Sequence, residues 1–280
     1  MEGGVGRLVA VSDKCDYPEE VRALPKAVKT IIPVTNDLSS REIDEYVSRY
    51  LRSGKPMFAV DWELVRRLEP DLIVGQDLCE VCALPLGKSL KEFFIGGEPP
   101  QTFHLNPLNY MEIAQQGYRL SEILGRRERG ERLLQVFREA GRELRGLGRG
   151  LRVLALEWID PPYVAGLWVS DLIAVAGAEP LLRPGEHGRR TTPEEITRFN
   201  PDIVIISPCG FSMERTFREF HILEESGWWR GLKAVQEGEV YVVESDYTAK
   251  GGPRTWRFAR FMSDILTGSG PERDVGVKVY

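Results

Sequence analysis

Histidine is scarce in this 280-residue chain. His104, His187 and His221 are the whole complement, and no two have the spacing of metal ligands. A nucleophile elbow of the G-x-S-x-G type is absent, and so is a P-loop. The glycine pairs Gly96-Gly97 and Gly251-Gly252 lack the strand-to-helix setting that makes a phosphate cradle. With those motifs missing, catalysis has little support, and the expectation is a protein that is not an enzyme and requires no cofactor. Cysteine is also sparse: Cys15, Cys79, Cys82 and Cys209 are too few in this length for a disulfide scaffold. Apolar runs are short, Ile203 to Ile206 being among the longest, so no membrane insertion is expected. A net charge of -5 gives no electrostatic case for nucleic acid or an anionic membrane as partner. The opening residues MEGGVGRLVAVS have no basic region followed by an apolar stretch, so no secretory signal is expected. Sequence composition therefore leaves the compartment open, the cytoplasm included.

What is present is the balance of a globular chain, 42% hydrophobic and 28% charged residues. Short β-rich runs alternate with helical stretches, which predicts an α/β protein with mostly parallel sheets. Strands are expected at Arg7–Ser12, Asp71–Gly75, Thr102–Leu105, Arg152–Glu157, Asp202–Ser207 and Glu239–Val243. Helices are expected at Ser39–Arg52, Trp62–Leu68, Tyr110–Leu124, Val169–Ala176, Pro193–Phe199 and Pro253–Leu266. Between Arg126 and Leu147 the apolar residues Leu133, Leu134, Phe137, Leu144 and Leu147 recur at helical spacing amid dense mixed charge. Such a helix would be about 33 Å long, enough to bridge two domains.

The chain also repeats itself. Asp61-Trp-Glu-Leu-Val-Arg-Arg-Leu-Glu-Pro-Asp-Leu-Ile-Val precedes the long helix, and Thr192-Pro-Glu-Glu-Ile-Thr-Arg-Phe-Asn-Pro-Asp-Ile-Val-Ile follows it. Each reads as a capping residue, a short helix, a Pro-Asp turn and a buried strand. Two copies of one unit around a long helix predict two similar α/β lobes with a ligand cleft between them. The boundaries expected are a lobe over 1–125, a bridging helix over 126–149, a second lobe over 150–268 and a tail over 269–280.

In open parallel sheets ligands collect beyond the carboxyl ends of the strands. Reading past those ends gives Cys15-Asp16-Tyr17-Pro18 and Gln76-Asp77-Leu78-Cys79-Glu80-Val81-Cys82. Further on come Glu157-Trp158-Ile159-Asp160-Pro161-Pro162-Tyr163, then Pro208-Cys209-Gly210-Phe211, then Asp246-Tyr247. Aromatic rings beside a few polar groups suit a large amphipathic ligand. The ligand-binding candidates are therefore Asp16, Tyr17, Gln76, Asp77, Trp158, Asp160, Tyr163, Trp168, Phe211 and Tyr247. All four cysteines fall on the same loops, so Cys15, Cys79, Cys82 and Cys209 are candidates for a soft metal or for disulfides, against the plainer reading of four ordinary thiols.

CDYP after a strand, QDLCEVC after PDLIVG, EWIDPPYVAGLW and PCGF together resemble the cobalamin-binding branch of the class III substrate-binding proteins, which serve ABC importers of cobalamin and iron-siderophores. The resemblance runs from about Leu8 to Leu266. It implies two α/β lobes joined by one rigid helix, a corrinoid or related metal chelate held between them, a monomer, and an extracytoplasmic or periplasmic setting. It also implies that Glu63 and Glu194, at equivalent positions of the repeat, dock the permease of the transporter. The chain departs from the pattern at its start, where members usually have one more strand and helix, so the first lobe is expected to lack an element. It departs again at Leu167, where the branch often has a polar residue before the Trp of V-A-G-x-W. Two other classes fit the residues: a cytosolic corrinoid- or metal-handling enzyme or chaperone on the same fold, which the missing export signal favours, and a thiol-based metal or redox sensor.

Overall fold

The computed structural model of the protein describes residues 5–31, 37–54, 57–76, 78 and 99–280. The chain divides into two compact units, one of residues 1–35 and 45–106, the other of residues 36–44 and 107–280. The division falls inside the first α-helix, α1 (Ser40–Arg52), between Asp44 and Glu45.

In the first unit β1 (Val11–Ser12) lies parallel to β2 (Lys26–Thr30), which pairs antiparallel with β3 (Phe58–Val60). A separate parallel pair is formed by β4 (Leu72–Gly75) and β5 (Gln101–His104). Ahead of β4 stands α2 (Trp62–Leu68), whose first turn is closed by the Asp61 carboxylate accepting from the Leu64 N–H at 2.9 Å.

The second unit opens on two helices, α3 (Tyr110–Ile123) and α4 (Arg127–Leu144). The α4 helix is the one expected over Arg126 to Leu147. Its 18 residues span about 27 Å, and it belongs to the second unit rather than standing outside both. Its apolar stripe explains this. Phe137 and Leu144 are fully buried, and the Tyr110 ring stacks on Phe137 at 4.7 Å while its hydroxyl donates to the Phe137 carbonyl at 3.1 Å. Gly130 permits the close approach, since a Cβ there would lie 2.1 Å from Ser121 Oγ.

The sheet of this unit has seven strands. Along its main path run β12 (Gly276–Lys278), β11 (Val240–Val243), β10 (Ile203–Ile206), β6 (Arg152–Trp158), β7 (Tyr163–Val164) and β9 (Arg189–Arg190); β8 (Glu179–Pro180) also pairs with β6. The β6, β8, β10 and β11 pairings are parallel, and those of β7, β9 and β12 are antiparallel, so the sheet is mixed at its margins. The chain end read as a tail from 269 is part of this sheet through β12. The core is Leu154, Leu156, Val204, Ile206, Val240 and Val242, each no more than 1% exposed, with Trp229 wedged beneath. Burying six such side chains supplies roughly 9–18 kcal/mol of gross hydrophobic stabilisation, before conformational entropy is set against it.

After α5 (Leu167–Val175), helix α6 (Pro193–Phe199) enters β10 as α2 enters β4. Thr192 caps α6 by accepting from the Glu195 N–H at 3.2 Å. Both helices stop on a left-handed residue ahead of proline, Glu69 at φ 43° and Asn200 at φ 45°, because proline disfavours a right-handed helical conformation in the residue before it. The two copies thus share cap, length and stop. Their strands differ: β10 is central and buried on every residue, whereas β4 pairs only with β5 among the described residues and leaves Val74 43% exposed. Among the described residues no helix is long and apolar enough to cross a membrane.

Candidate functional site

Parallel β6 and β10 run side by side, so the loops that leave their carboxyl ends emerge together. Backbone bonds fix the two loops to each other: the Ser207 N–H donates to Leu156 at 2.9 Å, and the Cys209 N–H to Glu157 at 3.0 Å. A tight turn, Pro208 to Phe211, then closes on a 2.9 Å bond and needs Gly210 at φ 79°. This delivers Phe211 against Trp158, with ring centroids 4.9 Å apart and planes tilted by 56°. Phe211 is 7% exposed, and Trp158 is half-buried.

Around this aromatic pair stand three guanidinium groups, each with its own carboxylate. Arg215, on α7 (Met213–Glu219), lies 4.7 Å from the Phe211 centroid and pairs with Glu219 one turn on. Arg41 makes a two-pronged pair with Asp160 at 2.8 and 2.9 Å. Arg190 reaches Asp44 at 2.8 Å and lies 5.9 Å from the Tyr163 ring centroid. The Tyr163 hydroxyl also donates to Asp44, at 2.8 Å. Its pKa is raised, first by burial and then because the Asp44 carboxylate disfavours a second negative charge beside it.

Of the ten ligand candidates, the structure brings Trp158, Asp160, Tyr163 and Phe211 into this group. Trp168 and Tyr247 belong to the same unit but are buried and committed elsewhere. The Trp168 indole N–H donates to the Thr248 carbonyl at 2.6 Å, and its ring leaves no room for a Cβ at Gly251. The Tyr247 hydroxyl accepts from Arg257 at 2.8 Å. In the first unit Asp16 is half-buried and Tyr17 is 51% exposed beyond β1, and Gln76 is exposed at the end of β4. Asp77, Cys79 and Cys82 lie outside the described residues. Cys15 and Cys209 are both exposed, and Ser12 Oγ lies 3.6 Å from Cys15 Sγ. Among the described residues no three His, Cys, Asp or Glu side chains are grouped to hold a metal ion. Leu167 has a left-handed backbone, φ 50°, and its N–H donates to Glu186 at 2.7 Å.

Sequence reasoning missed Ser40, Arg41, Asp44, Arg190, Arg215 and Glu219. Only Arg215 and Glu219 carried a local signal, an i,i+4 opposite-charge pair on a short helix.

Glu63 and Glu194 are exposed, each in the first turn of its helix. The Glu194 carboxyl is held below the usual range by its own backbone N–H and by the Thr192 hydroxyl. Its neighbour Glu195 is engaged by other groups. The Arg189 guanidinium, through bonds of 2.6 and 2.9 Å, and then the Thr191 hydroxyl at 2.6 Å bring its pKa down to about 2. A depressed carboxylate contributes stability above its unfolded pKa and loses it as pH falls through the folded one. The expected result is a contribution from Glu195 present at neutral pH and lost between about pH 4.5 and about 2, which Glu195→Gln abolishes. Carboxyl chemical shifts followed by NMR check it; a Glu195 midpoint near 4.5 would contradict the pairing.

A family profile described as periplasmic binding protein matches residues 3–247. No curated protein sequence matches the chain. Solved structures do. The periplasmic vitamin B12 binding protein of Vibrio cholerae is 19% identical, covers 94% of this chain and 89% of its own, and superposes with a TM-score of 0.67. A periplasmic heme binding protein from Pseudomonas aeruginosa is 18% identical over 95% and 87%, with a TM-score of 0.67. An ABC transporter substrate-binding protein from Listeria monocytogenes is 16% identical over 93% and 91%, with a TM-score of 0.66.

Proposed function

The chain belongs to the periplasmic binding protein family, and from that premise we propose that it is the substrate-binding component of an ABC-type uptake system whose ligand is cobalamin or a related corrinoid. In this reading it works outside the cytoplasm, as a monomer, and hands its ligand to a membrane permease through Glu63 and Glu194. Solved relatives are named for vitamin B12 and for heme, so the choice between the two rests on this chain's own residues.

The observation that carries it is an aromatic pair set in a charge-balanced rim. Half-buried Trp158, backed by the buried Phe211 ring, offers a stacking surface at the strand ends, where α/β sheets collect ligands. Arg41, Arg190 and Arg215 surround it, but Asp160, Asp44 and Glu219 neutralise them one for one. A porphyrin dicarboxylate would have to take an arginine from its carboxylate and leave that carboxylate without a counter-charge. A corrinoid presents mainly amide groups, which hydrogen-bond to an ion pair without breaking it. Catalysis plays no part in this reading.

The expected result is that Trp158→Ala weakens cyanocobalamin binding by roughly 1–3 kcal/mol, the scale for losing a large buried apolar side chain. Isothermal titration of parent and variant measures it. Equal affinities would remove Trp158 from the site, and heat from neither protein would reject the ligand itself.

A further inference from the structure

We infer that Asp44 determines which ligands the face accepts: by neutralising Arg190 it admits uncharged amide carbonyls and refuses carboxylates. The inference rests on the reading of the Trp158 face as the ligand site and adds the residue that makes its choice.

Three arginines stand at the face, and one of them is both reachable and fixed in place. Arg215 is 11% exposed and lies over the Phe211 ring, so a ligand does not reach it. Arg41 is 63% exposed, but among the described residues Asp160 is the one polar partner of its side chain. Without that carboxylate the long side chain is free to swing into water. Arg190 is 56% exposed and is held by more than its ion pair. It lies on β9 directly across from Tyr163 on β7, and its guanidinium is 5.9 Å from the Tyr163 ring centroid. Next to it the Thr191 N–H donates to the Pro162 carbonyl at 2.9 Å, which ties the two strands together.

Asp44 is the carboxylate that cancels this charge. Its side chain is 10% exposed, too little to be a main ligand contact itself. One of its oxygens accepts from the Tyr163 hydroxyl and the other from Arg190, both at 2.8 Å. Burial and Asp44 raise the Tyr163 pKa, and Arg190 pulls it back through its charge and a hydrogen bond. The three side chains therefore form one closed group, and Asp44 acts on the ligand through Arg190.

A ligand meets the outer N–H groups of an arginine whose charge is already balanced. A guanidinium has five N–H donors, and a single carboxylate does not use them all. A carbonyl oxygen can accept from the remainder without disturbing the pair. A carboxylate gains little there, because repulsion from Asp44 offsets the attraction of Arg190.

Asp44→Asn keeps the side-chain shape and an acceptor for the Tyr163 hydroxyl, and Asp44→Ser removes the charge in a smaller side chain. The probe is protoporphyrin IX, a dicarboxylate that carries no iron and so binds without metal ligation. Both variants should bind it, relative to cyanocobalamin, about tenfold better than the parent does, the scale of one charge-assisted hydrogen bond. Porphyrin fluorescence and cobalamin absorbance titrations give the ratio of affinities, and protected Ile203–Ile206 amides in hydrogen exchange report an intact fold. Adding Arg190→Gln to either variant should return the ratio to the parental value. Glu195→Gln, which frees the neighbouring Arg189 instead, should leave the ratio unchanged. A parental ratio in either folded Asp44 variant would overturn the inference. So would a gain that survives Arg190→Gln, or one that Glu195→Gln reproduces. A parent that binds no cyanocobalamin would instead overturn the reading of the ligand site, and the choice assigned to Asp44 with it.

Discussion

Glu219→Ala should cost about 3–5 kcal/mol of folding stability, the range for breaking a buried ion pair from one side. Glu219 is 5% exposed and satisfies two groups at once, the Arg215 guanidinium and the Ser40 N–H. Removing its carboxylate leaves a guanidinium that is buried and positive with no counter-charge. Arg215 retains the Leu38 carbonyl and the face of Phe211, neither of which carries a formal charge. Charge is therefore the larger part of the loss, and Glu219→Gln, which keeps the side-chain shape, should recover less than half of it. The double variant Arg215→Met/Glu219→Leu should be far closer to the parent, because apolar residues of similar volume replace a buried pair at little cost. Urea denaturation followed by tryptophan fluorescence distinguishes the cases. A single-variant loss under about 1 kcal/mol would mean that water reaches the pair.

The double variant Glu63→Ala/Glu194→Ala should abolish ligand transfer to the reconstituted importer while leaving ligand affinity and melting temperature unchanged. Both glutamates are exposed on the first turns of α2 and α6. The helix caps belong to Asp61 and Thr192, which the substitutions retain. On α6 the internal ion pair is made by Glu195 with Arg189, and not by Glu194. A carboxylate so placed has little work inside its own unit and is available to an arginine of a permease. Each single variant should retain part of the transfer, since one contact remains. Transfer by the double variant at the parental rate would leave both residues with no role beyond starting their helices.

Local features of the sequence carried far. The repeat was legible because a cap, a seven-residue helix, a left-handed stop before proline and an apolar strand are each specified by neighbouring residues. The α2 and α6 helices fall at the expected residues, and the strands β4, β6, β10 and β11 lie within a residue or two of expectation at each end. The expected strand over Arg7–Ser12 shrinks to Val11–Ser12, and β12 was read as tail. Nothing local marks β12, whose place depends on Gly276 fitting against Phe261, where a Cβ would come within 2.6 Å.

The site was legible only in part. Trp158 and Trp168 look alike in sequence, both aromatic beside a loop. What separates them is distant: Trp168 finds the Thr248 carbonyl and Gly251, whereas Trp158 stays half-buried beside Phe211. Arg41 and Asp44 were invisible because their partners Asp160, Tyr163 and Arg190 lie 119 to 146 residues further on. Glu63 and Glu194 were matched to each other through the repeat, which aligns positions without regard to what they touch, and their docking role is what the resemblance implies.

Competition between ligands at equilibrium tests most directly whether this chain holds a corrinoid. The parent protein would be titrated with cyanocobalamin and with hemin, separately and then each against the other, with visible absorbance reporting occupancy. Because the rim around Trp158 and Phe211 is neutralised pair by pair, the account predicts saturable one-to-one binding of cyanocobalamin that excess hemin does not displace. Hemin bound tightly, with cyanocobalamin unbound at any concentration tried, would contradict it.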